Sequence, residues 1–170
     1  MPVLTQTYSV NTSILLDLSS LPTSSTLLTG RESNQIDNTT TMYSDAIVNV
    51  KGIVGHASTA PVVGQYIGIW VWGSDTSLVT SPIDALDGAD SAETLSHAGV
   101  LNSLRFGAAS MVTVATAALT HWVQPFSVAA LFGGVMPKFW GLYVAHNHAG
   151  ALAAAQTGKF SFNGITYTST

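Results

Sequence analysis

Two segments of this chain carry large apolar side chains on both faces of a strand, and they restrict the fold more than any other feature. Neighbouring side chains of a strand point to opposite faces, so a run that is apolar throughout is buried on both sides. Residues 64–74 and 138–148 have this pattern. It predicts central strands between packed layers, or strands whose second face meets another subunit. The opposed sets are Tyr66, Trp70 and Trp72 against Ile67, Ile69 and Val71, and Phe139 and Tyr143 against Trp140, Leu142 and Val144.

The remaining pattern is typical of an all-β protein. Short β-branched runs at 42–55, 101–116 and 118–128 are separated by Gly, Pro and Asn, with little helical periodicity between them. We therefore predict an antiparallel β-sandwich, jelly-roll-like, in residues 29–170, with residues 1–28 as an extended N-terminal arm.

Three local signals add detail to this prediction. Residues 90–104 suit a short helix with Ser91 as its cap. Ser127 can cap a single helical turn that Gly133–Gly134 ends. Asn163–Gly164 is a typical turn pair and predicts a hairpin at the end of the chain.

Charged residues make up only 8% of the chain, against about 25% in an ordinary soluble domain. With five Lys plus Arg and a net charge of −4, the sequence lacks the clustered cations of a nucleic-acid surface. The uncharged window between Arg105 and Lys138 is interrupted by His121 and Pro125, which argues against a membrane span. Such a sandwich is typical of a secreted protein, or of a subunit whose neighbours cover its surface.

His146 and His148 are the candidate metal ligands. Residues i and i+2 of a strand project from the same face, so the two imidazoles are placed to chelate one ion. The chain has no cysteine, and no Asp or Glu follows Glu93, so a third ligand has to come from another histidine or an earlier acid. We favour a polar strand end over a metal site, and we expect no cofactor.

The acidic residues give no clear catalytic pattern. Asp84, Asp87 and Asp90 offer oxygen ligands for calcium, but their spacing differs from that of an EF-hand loop. Glu32 and Glu93 are the only glutamates, and nothing in the sequence brings this candidate glycosidase pair together. No nucleophile elbow, zinc-protease motif or phosphate-binding loop is present. We therefore expect a protein that is not an enzyme.

Four tryptophans, Trp70, Trp72, Trp122 and Trp140, are candidates for a sugar-stacking platform, because jelly rolls often serve as lectins. Three of them lie in the two most apolar segments. Core packing or a subunit interface is therefore favoured over a glycan platform.

Four segments of the chain resemble a family of small structural proteins of tailed bacteriophages: TGRESNQIDNTT (29–40), YIGIWVWGS (66–74), LDGADSAET (86–94) and SVAALFGGVMPKFWGLYVAHN (127–147). The most specific part is LFGGVMPKFWGLYV. The resemblance implies a structural virion protein, a capsid decoration or cement protein on the phage head, with no enzymatic activity. It implies the major capsid protein and copies of the chain itself as partners, and by analogy a trimer.

Two alternatives stay open, namely a tail or head–tail component and a glycan-binding β-sandwich module. For a decoration protein, we expect residues 1–28 to reach onto an adjacent subunit. We expect 29–41 and 81–98, both predicted as surface loops, to contact the shell. The interface candidates are Leu15, Leu16, Leu18, Arg31, Glu32, Trp70, Trp72, Asp84 and Asp87.

Overall fold

The computed structural model describes residues 3–169, which fold largely into antiparallel strands in two large sheets and one small pair. The first sheet contains, in order, β1 (Leu4–Tyr8), β13 (Phe160–Ser169), β5 (Asp45–Val50) and β11 (Phe126–Ser127), with β2 (Thr12–Ser13) also on β13. The second contains β8 (Ser91–Thr94), β3 (Thr29–Glu32), β12 (Phe139–His146), β7 (Tyr66–Ser74) and β9 (Arg105–Met111), with β4 (Ile36–Asp37) also on β12. The other elements are the pair β6 (Ile53–Val54) and β10 (Thr120–His121), and the helices α1 (Ala98–Ser103) and α2 (Val128–Leu131).

The strand connections follow the jelly-roll scheme. Four strand pairs are nested along the chain, from the first and last strands outermost to β7 and β9 innermost. They are β1·β13, β3·β12, β5·β11 and β7·β9. Two further pairs, β13·β5 and β12·β7, wrap this long hairpin into two facing sheets. The predicted antiparallel β-sandwich is therefore confirmed. Among residues 3–169, no helix has the length and apolar character needed to cross a membrane.

A hydrophobic core fills the space between the two sheets. Alternate residues of β5 and β13, such as Val48 and Phe162, face the sandwich interior with alternate residues of β7 and β12, such as Ile69 and Leu142. The rings of Trp140 and Phe162 meet edge to face with centroids 5.3 Å apart. The period-two pattern of the sequence therefore places these side chains in one contiguous core.

The N-terminal segment belongs to this core. Ile14, Leu16 and Leu18 are at most 1% exposed and pack with the buried residues of both sheets. Strands β1 and β2 both pair with β13. Residues 4–18 are thus part of the sandwich of their own chain instead of forming a separate arm. Contact between their exposed residues and an adjacent subunit stays a prediction.

The outer face of the second sheet is covered by the chain itself. Segment 75–104 supplies leucines that pack with Trp72 and Tyr143, whose side chains are at most 1% exposed. Both faces of β7 and β12 are therefore buried, as the double apolar pattern predicts. The cover comes from this chain rather than from another subunit. The leucines are Leu78, Leu86, Leu95, Leu101 and Leu104.

The predicted helical turn at Ser127 is confirmed as α2. The Ser127 hydroxyl accepts the N–H of Ala130 at 3.0 Å, and Gly133 and Gly134 follow the helix with positive φ. The sequence prediction for Ser91 is wrong. This residue lies in β8, and the cap of α1 is the ring of His97.

The predicted C-terminal hairpin is also wrong, because β13 continues as one strand through Asn163 and Gly164. A Cβ at position 164 would overlap the ring of Tyr43, so this glycine permits a close ring contact instead of a turn. The Asn163 side chain donates to the Ser9 carbonyl at 3.0 Å. Long-range contacts therefore override a local turn signal.

Candidate functional site

The pairing of β3 with β8 joins the two segments that the sequence predicts as separate surface loops. The Arg31 guanidinium donates to the Asp90 carboxylate at 2.7 Å and to the Asp90 carbonyl at 3.0 Å. Segments 29–41 and 81–98 thus form one connected region. The loop prediction is wrong for β3, β4 and β8, because these stretches pair as strands of the second sheet.

Glu32 is a fully buried acid that fixes the turn at Asp87–Gly88. Its two carboxyl oxygens accept the backbone N–H groups of Asp87 (2.9 Å) and Gly88 (3.1 Å). Burial raises the pKa of Glu32 to about 8, although both hydrogen bonds act in the opposite direction. The pKa of this carboxyl group therefore lies well above that of an exposed glutamate.

A carboxyl oxygen from each of Glu32, Asp87 and Glu93 lies within 4.8 Å of the other two. The fold thus brings both glutamates of the chain together, which the sequence did not reveal. Both oxygens of Glu32 are engaged by main-chain N–H groups, and Glu93 accepts the Ser91 hydroxyl. Since Glu32 is also fully buried, its carboxyl group is not open to a substrate. The geometry instead supports a structural role in holding segment 81–98 on the sheet.

The three candidate calcium ligands have separate partners. Asp84 accepts the backbone N–H of Ser96 at 2.7 Å, and Asp90 pairs with Arg31. Asp87 accepts a backbone N–H two residues further on at 3.0 Å. Each of these carboxylates therefore stabilises its own part of the chain.

We expect Glu32→Ala to lower the free energy of unfolding by about 2–5 kcal/mol, because two main-chain N–H groups lose their acceptor. Urea denaturation followed by tryptophan fluorescence measures this loss. Glu32→Gln retains one acceptor and should lose about half as much. As a control, Asp75→Ala removes an exposed acid and should change stability by less than about 0.5 kcal/mol. Equal effects of Glu32→Ala and Asp75→Ala would contradict the structural role.

Three histidines form a buried cluster: His121 in β10, His146 at the end of β12, and His148 two residues beyond. The ring centroids of His121 and His148 are 4.6 Å apart, and those of His146 and His148 are 5.2 Å apart. Within the part of the chain that the structure describes, His121 Nε2 and both ring nitrogens of His148 have no hydrogen-bond partner. The predicted strand end is confirmed, because β12 ends at His146, but the imidazole rings there are enclosed instead of exposed.

The hydrogen bonds of His146 assign its neutral form. Because a carbonyl only accepts, Nε2–H donates to the Leu21 carbonyl at 2.9 Å, and Nδ1 accepts the N–H of His148 at 3.3 Å. His146 thus has no free lone pair for a metal. The rings of His121 and His148 are tilted by 35° with their centroids 4.6 Å apart, so the two rings are in contact. This geometry does not form the chelate for which His146 and His148 are the sequence candidates.

Burial lowers the pKa of all three rings. The pKa of His148 falls to about 3, first through burial and then through the neighbouring His121 and His146. No carboxylate contributes to these shifts. The cluster is therefore neutral at pH 7 and takes up protons only in acid.

Five of the nine interface candidates are buried inside the chain, so their prediction as interface residues is wrong. These are Leu16, Leu18, Glu32, Trp70 and Trp72, each at most 7% exposed. Their own sheets and segment 75–104 cover them. The other four, Leu15, Arg31, Asp84 and Asp87, reach the surface.

One apolar surface region lies beside the loop that follows α2. Met42 and Val135 are both at least 70% exposed. Two open cavities of about 430 and 400 Å³ share Val135, Met136 and Lys138 in their walls. Sequence periodicity does not indicate this region, because its residues lie in loops.

A second apolar region lies where two loops run side by side. The Gly64 N–H donates to the Val112 carbonyl at 3.0 Å, and the Val112 N–H donates to the Gln65 carbonyl at 2.7 Å. Next to these bonds, four large apolar side chains are exposed. They are Val62, Val63, Met111 and Val114.

The structure thus defines the chain as a jelly-roll β-sandwich with a buried acid, a buried histidine cluster and two apolar surface regions. Comparisons with protein-family models, with curated proteins and with solved structures gave no match. The function is therefore inferred from the fold and surface of this chain, together with the sequence resemblance.

Proposed function

We propose that this chain is a structural virion protein of a tailed bacteriophage, a capsid decoration protein that stabilises the head shell by bridging neighbouring capsid subunits. The observation that carries the proposal is a surface rich in apolar side chains and poor in charge. Among residues 3–169, fifteen large hydrophobic side chains are exposed, whereas the whole chain has five Lys plus Arg. A surface of this composition is typical of one that neighbouring proteins bury.

The segment with the most specific phage resemblance also contributes to this surface. Residues 131–144 include the exposed Val135 and the shared wall of the two cavities. The jelly-roll fold is used by viral capsid domains and by lectins, so it is compatible with a virion role but does not distinguish it from a lectin role. The sequence resemblance favours the virion role over the lectin role.

A decoration protein acts through contact area instead of chemistry. An interface of about 1,600 Å², repeated over a lattice, gives high avidity from modest single contacts. The region of Met42 and Val135 offers open apolar cavities for side chains of a shell protein. On the region of β3 and β8, Asp84, Asp87 and Glu93 favour a partner that is cationic at that contact.

The burial of most tryptophans argues against the glycan-binding alternative. Trp70, Trp72 and Trp140 are buried, and only Trp122 is exposed, at 71%. A single ring supplies one stacking surface, whereas a platform needs several. The tail or head–tail alternative is distinguished by copy number.

We expect quantitative mass spectrometry of purified virions whose genome encodes this chain to find it at a copy number comparable with that of the major shell protein. A decoration protein occupies a repeated site on the shell, which sets this ratio. A copy number in the tens at most would instead indicate a tail or head–tail component. Absence from purified particles would overturn the proposed function.

A further inference from the structure

We propose that two copies of this chain associate through the outer edge of β1 and continue the first sheet across a two-fold axis. β1 is the terminal strand of that sheet, and no strand within residues 3–169 pairs with its outer edge. All five of its residues are exposed, with Leu4 at 67% and Tyr8 at 60%. This inference does not depend on a role in the virion.

The other terminal strands carry features that oppose pairing with a second copy. β8 contains Glu93, so two copies would bring like charges together. β9 begins at Arg105 and has a register shift in its pairing with β7. β11 has two residues and follows Pro125. β1 has none of these features, since residues 1–16 are uncharged and its register with β13 is regular.

β1 also extends beyond the support of the sheet. β5 ends its pairing with β13 at Ile165, so Thr166–Ser169 of β13 pair with β1 alone. A two-stranded ribbon is only marginally stable in water. A second copy on β1 would make this ribbon one half of a four-stranded layer, with the two β1 strands in the middle.

The main-chain groups of alternate β1 residues point away from β13. The Ser9 N–H donates to the Gly164 carbonyl at 2.8 Å, and bonding to the same neighbour recurs at every second residue of an antiparallel ladder. The N–H and C=O groups of Leu4, Gln6 and Tyr8 are therefore directed to the outer edge. These are the groups that a second copy would bind.

The sequence of β1 is self-complementary in this register. When two copies pair antiparallel about Gln6, this residue faces its own copy, and Leu4 faces the partner's Tyr8. Each such pair exchanges two main-chain hydrogen bonds, and the leucine–tyrosine pairs add a cross-strand contact. Gln6 and Tyr8 already share one face, where the Gln6 amide donates to the Tyr8 hydroxyl at 3.0 Å. A two-fold contact of this kind closes as a dimer.

Light scattering after size-exclusion chromatography of the full chain should give twice the 17.7 kDa of one copy. Gln6→Pro removes an outward N–H and leaves the bonds to β13 intact, so it should give the mass of one copy with a native circular dichroism spectrum. Gln6→Thr keeps the N–H and should remain dimeric. A native chain that stays at 17.7 kDa at every concentration, or a folded Gln6→Pro variant that stays dimeric, overturns the proposal.

Cysteine cross-linking tests the register without relying on Gln6→Pro. The chain has no cysteine, so a single introduced one has no background. Gln6→Cys should form a disulfide-linked dimer on oxidation, because directly opposed Cα atoms lie about 5.5 Å apart. Leu4→Cys on the same strand should not, because its two copies would be about 14 Å apart. Equal cross-linking of both variants, or of neither, would exclude this pairing.

Discussion

A chain that lacks residues 2–20 is expected to lose its cooperative fold. The deletion removes Ile14, Leu16 and Leu18 from the core between the sheets. Loss of each large buried side chain costs about 2–5 kcal/mol, and a whole domain is stable by only about 5–15 kcal/mol. We expect near-ultraviolet circular dichroism to lose its fixed signal and urea titration to lose its sigmoidal transition.

Adjacent leucines provide the matched control for this deletion. Leu16 is 1% exposed and Leu15 is 61% exposed, although both have the same side chain. Leu16→Ala should lower the free energy of unfolding by about 2–5 kcal/mol, and Leu15→Ala by less than about 0.5 kcal/mol. Deletion of residues 2–8 alone, which removes the exposed β1, should keep the cooperative transition. A chain without residues 2–20 that still unfolds with the native midpoint would restore the hypothesis of a separate arm.

Acid is expected to destabilise the protein strongly through the histidine cluster. The folded pKa of His148 is about 3, against 6.5 for a free histidine, and the pKa values of His121 and His146 are lowered as well. Between these values the unfolded chain binds more protons, so the free energy of unfolding falls as the pH falls. This contribution is fully present above pH 6.5 and is lost towards pH 3. Each proton adds a slope of up to about 1.4 kcal/mol per pH unit, which urea denaturation from about pH 7 to 4 measures.

Glu32 has the opposite pH dependence. Its folded pKa of about 8 lies above the ordinary value of 4.5, so the folded chain binds more protons between them. Its contribution is fully present below pH 4.5 and is lost as the pH rises through 8. The histidine cluster destabilises the protein in acid and Glu32 destabilises it in alkali, so the free energy of unfolding should be greatest at about pH 6. Glu32→Gln should flatten the alkaline side only.

His148→Phe is expected to flatten the acid side. The replacement removes two buried nitrogens without partners and keeps an aromatic ring, so the cost at pH 7 should be small. His97→Asn is the control, because it removes an exposed histidine and keeps an acceptor for the cap of α1. The explanation by the cluster fails if the acid slope of His148→Phe equals that of the native chain.

The strands that carry the core could be predicted because their signal is local. In β7 and β12, apolar residues on both faces indicate burial on both sides, and the structure provides a sheet on one side and segment 75–104 on the other. The alternation in β5 likewise indicates one buried face. Ser127 gives α2 a cap within three residues. Hydrophobic periodicity and helix capping depend on neighbours in sequence, so both can be recognised without knowledge of tertiary contacts.

The candidate sites depend on partners that are distant in sequence. The two N–H groups that bind Glu32 are 55 and 56 residues away, so its burial is invisible in the polar segment around it. The leucines of segment 75–104 are irregularly spaced along the chain, so they form no periodic pattern. Only the fold aligns them over Trp72. His121 meets His148 because β10 and the end of β12 converge. In each case the decisive contact is long-range.

The position of β13 has a consequence for biosynthesis. This strand lies between β1 and β5 in the first sheet, yet it is translated after both of them. Residues 160–169 must therefore be synthesised before that sheet can form. Until then, apolar residues such as Val48 stay exposed to solvent in the nascent chain. Closure through such distant contacts is slow, and the waiting chain is prone to aggregate. Chaperone supply and growth temperature should accordingly govern the yield of soluble recombinant protein.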